Sequence, residues 1–212
     1  MYFLNHIEQY ILKQSSEEDS LLAELTRETH IKVLNPRMIS GHPQGILLKT
    51  LSKMMQPERI LELGTFTGYS AICLAEGLRQ GGLLYTIDKN DEVSPLAEKY
   101  FKKAGIENSV KRVLGDALEI IPTLNEVFDL VFIDADKKNY LKFYKLIIDK
   151  VRSGGVILAD NVLWNGKVTE NQSSWDDETR AIHEFNEFVK NDKRVIVTII
   201  PLRDGVSLIS KP

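Results

Sequence analysis

Cysteine is almost absent from this sequence. Cys73 is the single one, so the chain cannot form an internal disulfide, and a reducing compartment is expected. Its neighbours have helical character, which predicts a buried apolar role and not a reactive thiol. Long apolar runs are missing too: nothing approaches the ~20 apolar residues of a membrane span, and no charged start precedes an apolar stretch. These absences predict a soluble, cytoplasmic protein with no membrane partner.

The sequence also lacks an excess of positive charge. Its 27 Lys and Arg against 30 Asp and Glu give a formal net charge of -3, and the basic residues form no block. A surface for nucleic acid is therefore not expected. The 212 residues, 43% of them hydrophobic, suffice for one domain with a sizeable core.

The fingerprint of a dinucleotide site is absent as well. The apolar run Arg59–Leu63 predicts a central strand, and helical character resumes at Ser70. The turn between them reads G-x-x-x-G, from Gly64 to Gly68, and not G-x-G-x-x-G. A carboxylate at the strand end, Glu62, would repel phosphates but attract a cationic ligand such as an ammonium or a sulfonium. A cofactor of that kind is favoured over nicotinamide, although the turn taken alone could equally be structural.

Strand and helix patterns then alternate along the chain. Short apolar runs separated by helical segments predict an α/β fold, a doubly wound and mostly parallel sheet with helices on both faces. The second strand ends at Asp88, where a carboxylate can accept hydrogen bonds from both ribose hydroxyls of a nucleoside. The short connection 201–204 predicts that the last two strands form an antiparallel pair at the sheet edge. Strands are expected at 59–63, 83–87, 110–114, 128–133, 156–159, 195–200 and 205–210, and helices at 46–55, 70–78, 92–104, 138–151 and 175–189.

Residues 1–35 are expected to form a helical extension ahead of a single domain over residues 36–212. Two apolar stripes at helical spacing carry this prediction, and Ser15 with Glu18 forms a possible capping box between them. A doubly wound sheet does not need the extension. It must therefore pack on the outside, cover the site or pair with another subunit, and the sequence leaves these alternatives open. The stripes consist of Phe3, Leu4, Ile7, Tyr10 and Ile11, and of Leu21, Leu22, Leu25 and Ile31.

Three motifs follow one another in the chain: Glu62–Ser70, Phe132–Lys137 and Ala159–Trp164. With these motifs in this order, the sequence resembles the cation-dependent O-methyltransferases of the catechol and caffeoyl-CoA type, within the S-adenosylmethionine-dependent class. The resemblance covers residues 36–210. It implies a Rossmann-like methyltransferase fold of seven strands with the last one inserted antiparallel. It also implies S-adenosyl-L-methionine as methyl donor, and a homodimer.

The resemblance further implies a metal site. Asp134 and the pair Asp160-Asn161 follow neighbouring strands, at the rim where open α/β sheets bind ligands. Two carboxylates and an amide oxygen suit a hard divalent cation, Mg²⁺ or alternatively Mn²⁺ or Ca²⁺, better than zinc. A vicinal diol on a small aromatic molecule could chelate the same ion. Taken one at a time, each acid could instead be a helix cap or an ion-pair partner on the surface.

Residue roles follow from the same resemblance. Lys137 is the aligned general base, acting beside Asp134, although its unperturbed pKa near ~10.4 has to be depressed by nearby positive charge. An ion pair between Lys137 and Asp136 is the alternative. Asp116 could flank the adenine together with Ala117 or simply cap a helix. The implied cofactor contacts are Ser40, Glu62, Gly64, Thr65, Ser70, Asp88, Ala117, Asp134 and Asp136, and the implied substrate contacts are Lys137, Trp164 and Asn165.

The turn-rich connector 37–45 is expected to lead into the helix that starts at Ile46. By resemblance it closes over the methionine moiety and the methyl group, with Ser40 as a cofactor contact; a plain helix cap is the alternative for Ser40. His42 stands where relatives often carry acidic residues, and a surface role is expected for it.

Two other functions compete with this interpretation. The first is a nicotinamide-dependent oxidoreductase, which Phe66 in the turn and the nearby Glu62 disfavour. The second is a catalytically silent S-adenosylmethionine-binding protein. The intact set Asp134, Lys137, Asp160 and Asn161 disfavours that reading.

Overall fold

The computed structural model describes residues 2–212, apart from the side chains of residues 2–5, 7 and 8. The strands are β1 Arg59–Leu63, β2 Leu83–Asp88, β3 Val110–Leu114, β4 Phe128–Ile133, β5 Val151–Asp160, β6 Ile196–Ile200 and β7 Val206–Ser210. They form a seven-stranded sheet in the order β3-β2-β1-β4-β5-β7-β6. The strands β1 to β5 are parallel, and β7 lies antiparallel between β5 and β6. The predicted doubly wound fold with an inserted antiparallel strand is confirmed.

Helices cover both faces of this sheet. They are α1 Tyr2–Gln14, α2 Ser20–Lys32, α3 Gly41–Met55, α4 Tyr69–Ala75, α5 Ser94–Lys103, α6 Ala117–Thr123, α7 Tyr140–Ile147 and α8 Asp177–Asn191. One apolar layer joins the sheet to α6, α7 and α8. The other joins it to α2, α3, α4 and α5. Because β1 and β4 are buried between these layers, their apolar runs lack the alternation of a half-exposed strand.

The parallel register brings the carboxyl ends of four strands to one rim. Leu63 of β1 pairs with Ile87 of β2 and with Ile133 of β4, and Ile133 in turn pairs with Ala159 of β5. Residues that follow these partners therefore meet above the same edge of the sheet. They are Gly64, Asp88, Asp134 and Asp160.

The α2 helix is part of the core, because Leu22 and Leu25 are buried in the layer on its face of the sheet. The predicted capping box is wrong. Asp19 caps α2 by accepting a hydrogen bond from the Leu21 N–H at 2.8 Å. Glu18 instead accepts a hydrogen bond of 2.6 Å from the Tyr69 hydroxyl, which ties the start of α2 to the turn after β1.

The first apolar stripe is only partly described. The side chains of Phe3, Leu4 and Ile7 lie outside the described residues, while Tyr10 and Ile11 are exposed. In the second stripe Ile31 is exposed as well. Within residues 2–212, no helix combines the length and the apolar composition that crossing a membrane requires.

Several predicted boundaries were wrong. The α3 helix begins at Gly41 and not at Ile46, because the supposed connector folds into its first turns after a left-handed Gly41 (φ 71°). The helix expected over residues 138–151 is α7 flanked by short 3-10 turns. The β5 strand begins at Val151 and not at residue 156, and it runs through Gly154 and Gly155. These glycines continue the ladder, since the Gly154 N–H donates to the Lys211 carbonyl at 2.7 Å and the Lys211 N–H donates to the Gly155 carbonyl at 3.0 Å.

Candidate active site

A cavity of about 770 Å³ opens at the rim where β1, β2, β4 and β5 end. Glu62 lies beneath its floor, and Asn165 is exposed outside its lining. His42, half-buried in α3, does not line it either. The predicted site residues that do line it are Ser40, Gly64, Thr65, Ser70, Asp88, Ala117, Asp134, Asp136, Lys137, Asp160, Asn161 and Trp164.

The turn after β1 requires its glycines. Gly64 has a φ of 98°, and a Cβ built on it would lie 1.9 Å from the carbonyl oxygen of Asp134. A Cβ on Gly68, which has a φ of 89°, would meet the Phe101 ring at 2.6 Å. Any larger residue at Gly64 would push apart the ends of β1 and β4, so this glycine sets the width of the floor.

Glu62 is a fully buried carboxyl group, 0% exposed. Burial raises its pKa to about 8, against the lowering effect of the Ser70 and Thr86 hydroxyls. The Thr86 hydroxyl donates to Glu62 Oε2 at 2.5 Å, whereas Oε1 has no hydrogen-bond partner among the described residues. A buried acceptor without a partner is costly, and a cationic ligand above it would both satisfy it and favour its ionised form. The residues present therefore fit the positively charged methionine end of S-adenosylmethionine.

Asp88 organises the nucleoside side of the cavity. Its Oδ2 accepts a hydrogen bond from the Phe66 N–H and its Oδ1 one from the Asn90 N–H, both at 2.8 Å. Each carboxylate oxygen keeps a second lone pair, so the group can still accept bonds from ribose hydroxyls. Asp116 caps α6 by accepting from the Leu118 N–H at 2.8 Å, as the helix-cap alternative predicted, and Ala117 lines the cavity beside it.

Asp134, Asp160 and Asn161 line the same cavity, at the ends of β4 and β5. Asp160 is only 2% exposed, and burial followed by the nearby charge of Asp134 raises its pKa to about 6. Among the described residues no group of three or more His, Cys, Asp or Glu side chains forms a metal site, and the candidate set here has two carboxylates with an amide. Two carboxylates next to an amide oxygen fit a hard divalent cation, whose charge would offset the cost of ionising the buried Asp160 beside Asp134.

Lys137 contacts Asp134 and not Asp136, so the alternative ion pair is wrong. Its Nζ donates to Asp134 Oδ1 at 2.8 Å and to the Tyr140 hydroxyl at 2.6 Å. Burial disfavours the ammonium, but the Tyr140 and Asp134 oxygens outweigh this effect and raise the pKa of Lys137. Burial also raises the pKa of Tyr140, so its phenol stays neutral. Of the two groups that Lys137 contacts, Asp134 is therefore the one that carries a negative charge. The expected depression of the pKa of Lys137 concerns the loaded site and stays a prediction.

Tyr140 is a residue of the site that the sequence analysis does not identify. Its buried hydroxyl lies 3.1 Å from the carbonyl oxygen of Ile133 and 3.0 Å from that of Asp160. It accepts a hydrogen bond from Lys137 at the same time. A buried tyrosine needs a partner for its hydroxyl, and its position three residues after Lys137 was the available signal.

The loop after β5 is hydrogen-bonded to the turn between β6 and β7. The Val162 and Leu163 N–H groups donate to the Gly205 and Asp204 carbonyls at 3.1 and 2.9 Å. The side chain of Asp204 accepts from the Asn165 N–H at 2.5 Å. Trp164 follows in a left-handed conformation (φ 49°), lines the cavity and buries its indole nitrogen without a partner among the described residues. Arg203 of the same turn lines the cavity as well, which no sequence signal indicated.

The comparisons with known proteins agree with this geometry. A family model described as O-methyltransferase matches residues 12–212. A putative caffeoyl-CoA O-methyltransferase from Arabidopsis thaliana is 34% identical, with 95% of this chain and 91% of the relative covered. The catechol O-methyltransferase domain-containing protein 1 of Mus musculus is 32% identical over 98% of this chain and 80% of its own length.

Solved structures extend the likeness. A Podospora anserina methyltransferase with bound SAH has a TM-score of 0.90 at 28% identity, with coverage of 100% of this chain and 96% of the other. An O-methyltransferase from Streptomyces achromogenes that is involved in tomaymycin synthesis was solved in complex with SAM. It has a TM-score of 0.89 at 31% identity, with 97% and 96% covered.

Proposed function

This chain belongs to the O-methyltransferase family and is an S-adenosylmethionine-dependent enzyme of the caffeoyl-CoA type, and from that premise we propose the acceptor and the metal requirement. It transfers the methyl group to one hydroxyl of a vicinal diol on a small aromatic molecule, catechol-like or caffeoyl-like, and it depends on a divalent cation. The observation that supports this most is the placement of Asp134, Asp160 and Asn161 in one cavity with Lys137 and the Gly64 turn.

The cofactor half of the cavity is complementary to S-adenosylmethionine. Glu62 Oε1 lacks a partner and suits the positive charge at the methionine end, and the free lone pairs of Asp88 suit the ribose. Ala117 and Ser40 line the same cavity. The family resemblance implies that Ala117 lies beside the adenine and Ser40 beside the methionine moiety. Thr65, Ser70 and Asp136 supply further polar groups.

Asp134, Asp160 and Asn161 would hold Mg²⁺ or another hard divalent cation, leaving coordination positions for the diol. When bound, that ion would act as a Lewis acid that lowers the pKa of the hydroxyl and fixes the orientation of the ring. The positive charge of the cation would also favour the ionised form of Asp160, which burial and the nearby charge of Asp134 disfavour.

Lys137 Nζ takes the proton of the reacting hydroxyl. When bound, S-adenosylmethionine would supply the methyl group to that oxygen, and its sulfur would keep the electron pair of the broken carbon–sulfur bond. For this step Lys137 must be neutral, and positive charge from cofactor and cation opposes the raising effect of Asp134 on its pKa. Tyr140 holds the amine in place and contacts the ends of β4 and β5 that carry the acids.

The remaining walls position the acceptor. Trp164 and the segment around Ser40 both line the cavity. Exclusion of water and alignment of oxygen, carbon and sulfur supply much of the acceleration in such a transfer. The partner is therefore a small molecule, with no role for nucleic acid or membrane, and a cytoplasmic location is consistent with the single cysteine.

Chelation separates this proposal from the alternatives. We expect excess chelator to abolish methylation of a vicinal diphenol while calorimetry still records S-adenosylmethionine binding, since Asp134 is the one side chain that the implied cofactor contacts share with the proposed cation ligands. Restored turnover on adding Mg²⁺ supports the metal requirement. Full turnover in chelator would contradict it, and absence of turnover with every diphenol despite cofactor binding would favour a catalytically silent binding protein.

A homodimer is the proposed assembly. Its support is the apolar surface that the first 35 residues leave exposed, including Tyr10, Ile11, Ile31 and Leu34.

A further inference from the structure

The cofactor turn consists of residues 64–68, between β1 and α4. Three of its five residues have a left-handed backbone conformation: Gly64, Phe66 and Gly68 have φ values of 98°, 46° and 89°. A residue with a side chain, such as Phe66, disfavours this region because its Cβ approaches the following carbonyl oxygen. Backbone of this kind persists only where the surrounding structure holds it. The turn therefore depends on contacts with groups outside it.

The first such contact comes from α2. Thr29 Oγ1 donates a hydrogen bond to Thr67 Oγ1 at 3.2 Å. Both side chains are 0% exposed, so water cannot replace this bond when it is lost. A buried hydroxyl without a partner is costly, and the bond therefore favours the position that Thr67 has here. Thr67 directly precedes the left-handed Gly68.

The second contact comes from the residue that lies two positions before α2. Glu18 Oε1 accepts a hydrogen bond from the Tyr69 hydroxyl at 2.6 Å. Burial, followed by Glu18, raises the pKa of Tyr69, so the hydroxyl keeps its proton and remains the donor. Tyr69 directly follows Gly68 and lines the cavity. Residues on both sides of Gly68 are thus held by the chain around α2.

The α2 helix is itself fixed to α5. Glu28 Oε2 accepts hydrogen bonds from the Tyr100 hydroxyl at 2.7 Å and from Lys99 Nζ at 2.5 Å. The next residue of α5, Phe101, packs so closely on Gly68 that a Cβ there would lie 2.6 Å from its ring. The two helices therefore support the cofactor turn from behind, and α2 cannot move without disturbing contacts of both.

We propose that Glu18 and Thr29 are positioning residues for the cofactor turn. None of the described residues of α2 lines the cavity, so the helix acts on the cofactor only through the turn. With both contacts in place, the turn has its binding conformation before S-adenosylmethionine arrives. Without them only a fraction of the molecules has that conformation, and the apparent dissociation constant rises by the inverse of this fraction. The inference concerns cofactor binding alone and is independent of the proposed acceptor and cation.

Two substitutions of Thr29 test this with calorimetric titrations of the full chain by S-adenosylmethionine. Thr29→Val keeps the shape and loses the hydroxyl, and we expect its dissociation constant to rise about 3- to 10-fold. Thr29→Ser keeps the hydroxyl and loses a buried methyl group, so its thermal midpoint should fall while its dissociation constant stays near that of the wild type. Wild-type affinity in Thr29→Val, or affinities that follow the thermal midpoints of the two variants, would overturn the inference.

Glu18 offers a second pair. Glu18→Ala removes the acceptor of the Tyr69 hydroxyl and should weaken cofactor binding about 3- to 10-fold, whereas Glu18→Gln keeps an acceptor oxygen and should bind nearly as the wild type does. Glu24→Ala is the control on α2, because Glu24 pairs at 2.5 Å with Lys103 of α5 and not with the turn. An equal loss of affinity in Glu24→Ala would overturn the inference, since any loosening of α2 would then suffice.

Hydrogen exchange shows whether the turn itself is affected. Without ligand, the amides of residues 64–70 should exchange faster in Thr29→Val and Glu18→Ala than in the wild type, and saturating S-adenosylmethionine should restore most of their protection. A loss of affinity with unchanged exchange in this segment would mean that the two contacts do not order the turn, and the inference would be wrong. Should Thr29→Val fail to fold, the Glu18 pair and its control carry the test.

Discussion

The carbonyl oxygen of Asp134 occupies the space that a side chain on Gly64 would need, 1.9 Å from the position of a Cβ. The two residues follow β1 and β4, and the Asp134 N–H donates to the Leu63 carbonyl at 2.9 Å immediately below them. The cofactor turn and the strand end that carries the proposed metal ligand are therefore packed against each other through backbone atoms. A change in the turn should therefore displace the backbone of Asp134 directly.

Gly64→Ala should lose both stability and cofactor binding. The new methyl group would have to displace the Asp134 backbone, in addition to the cost of a left-handed alanine, so the free energy of unfolding should fall by roughly 3 kcal/mol or more. Gly81→Ala is the matched control, because Gly81 has a similar φ of 78° but nothing within 4 Å of the added Cβ. It should lose only about 1–2 kcal/mol in denaturant titrations and keep its affinity for S-adenosylmethionine. Equal losses in the two variants would show that the contact with Asp134 does not matter.

Asp88→Ala should weaken S-adenosylmethionine binding by about 1.5–3 kcal/mol, because it removes the carboxylate proposed to accept hydrogen bonds from the ribose. The loss includes the support that Asp88 gives to the Phe66 N–H in the cofactor turn. Isothermal titration calorimetry measures the dissociation constant directly. Asp91→Ala removes an exposed acid from the same loop and should leave that constant unchanged. If Asp88→Ala binds S-adenosylmethionine as tightly as the wild type does, Asp88 does not bind the ribose.

Glu62 should make the stability of the ligand-free protein fall as the pH rises from about 4.5 to about 8. Its pKa is 4.5 in an ordinary environment and about 8 in the folded protein, so in that window the unfolded chain has released a proton that the folded chain still holds. Ionisation then favours unfolding, by roughly 3 to 5 kcal/mol at the upper end. Glu62→Gln cannot ionise and should become more stable than the wild type above neutral pH, but not near pH 4.

Urea titrations of the wild type and Glu62→Gln at pH 4, 6 and 8 give this difference, with other ionisations cancelling between the two chains. The same variant should bind S-adenosylmethionine more weakly, because the amide cannot balance the charge of the ligand. A stability difference that does not vary with pH would mean that Glu62 titrates normally.

A vicinal diphenol should be methylated at least on the order of 10²-fold more efficiently than the matching monophenol with Mg²⁺ present. A diol can contact the cation that we propose for Asp134, Asp160 and Asn161 through two adjacent oxygens, whereas a monophenol has only one and is poorly aligned. For the same reason the once-methylated product should be a poor second substrate. Trp164→Ala should alter which hydroxyl is methylated more than the overall rate, because the indole lies beyond the ligands. Equal kcat/KM for diphenol and monophenol would rule out chelation of the acceptor.

Light scattering at micromolar concentration should give the mass of a dimer. We expect two substitutions of exposed apolar residues, Ile31→Glu and Leu34→Glu, to shift that mass toward the monomer. In the dimer they would bury charges without partners in the interface between the subunits. Met54→Glu changes an exposed residue on α3 and serves as the control for added charge. A monomeric mass for the wild type would reject the homodimer.

The sequence by itself determined the architecture of the sheet and which residues lie at its rim. An apolar run such as Phe128–Ile133 is removed from water only when helices cover both faces of its strand. Parallel strands in aligned register then place the residues that follow them at one edge of the sheet. That argument needs only the position of each acid relative to its strand. It is why Asp88, Asp134 and Asp160 were assigned to one cavity before any contact was known.

Only the tertiary structure decided which groups those acids touch. Lys137 is bound to Asp134 and Tyr140 although Asp136 is its neighbour in the chain, and Glu18 binds Tyr69 in place of the helix end it was expected to cap. Arg203 reaches Gln44 across 159 positions of sequence. A hydrogen bond depends on where two side chains end in space, and for partners from different strands and turns that distance is set by the packing of the whole chain. The local pattern therefore specified the acids, and long-range packing specified what orients them.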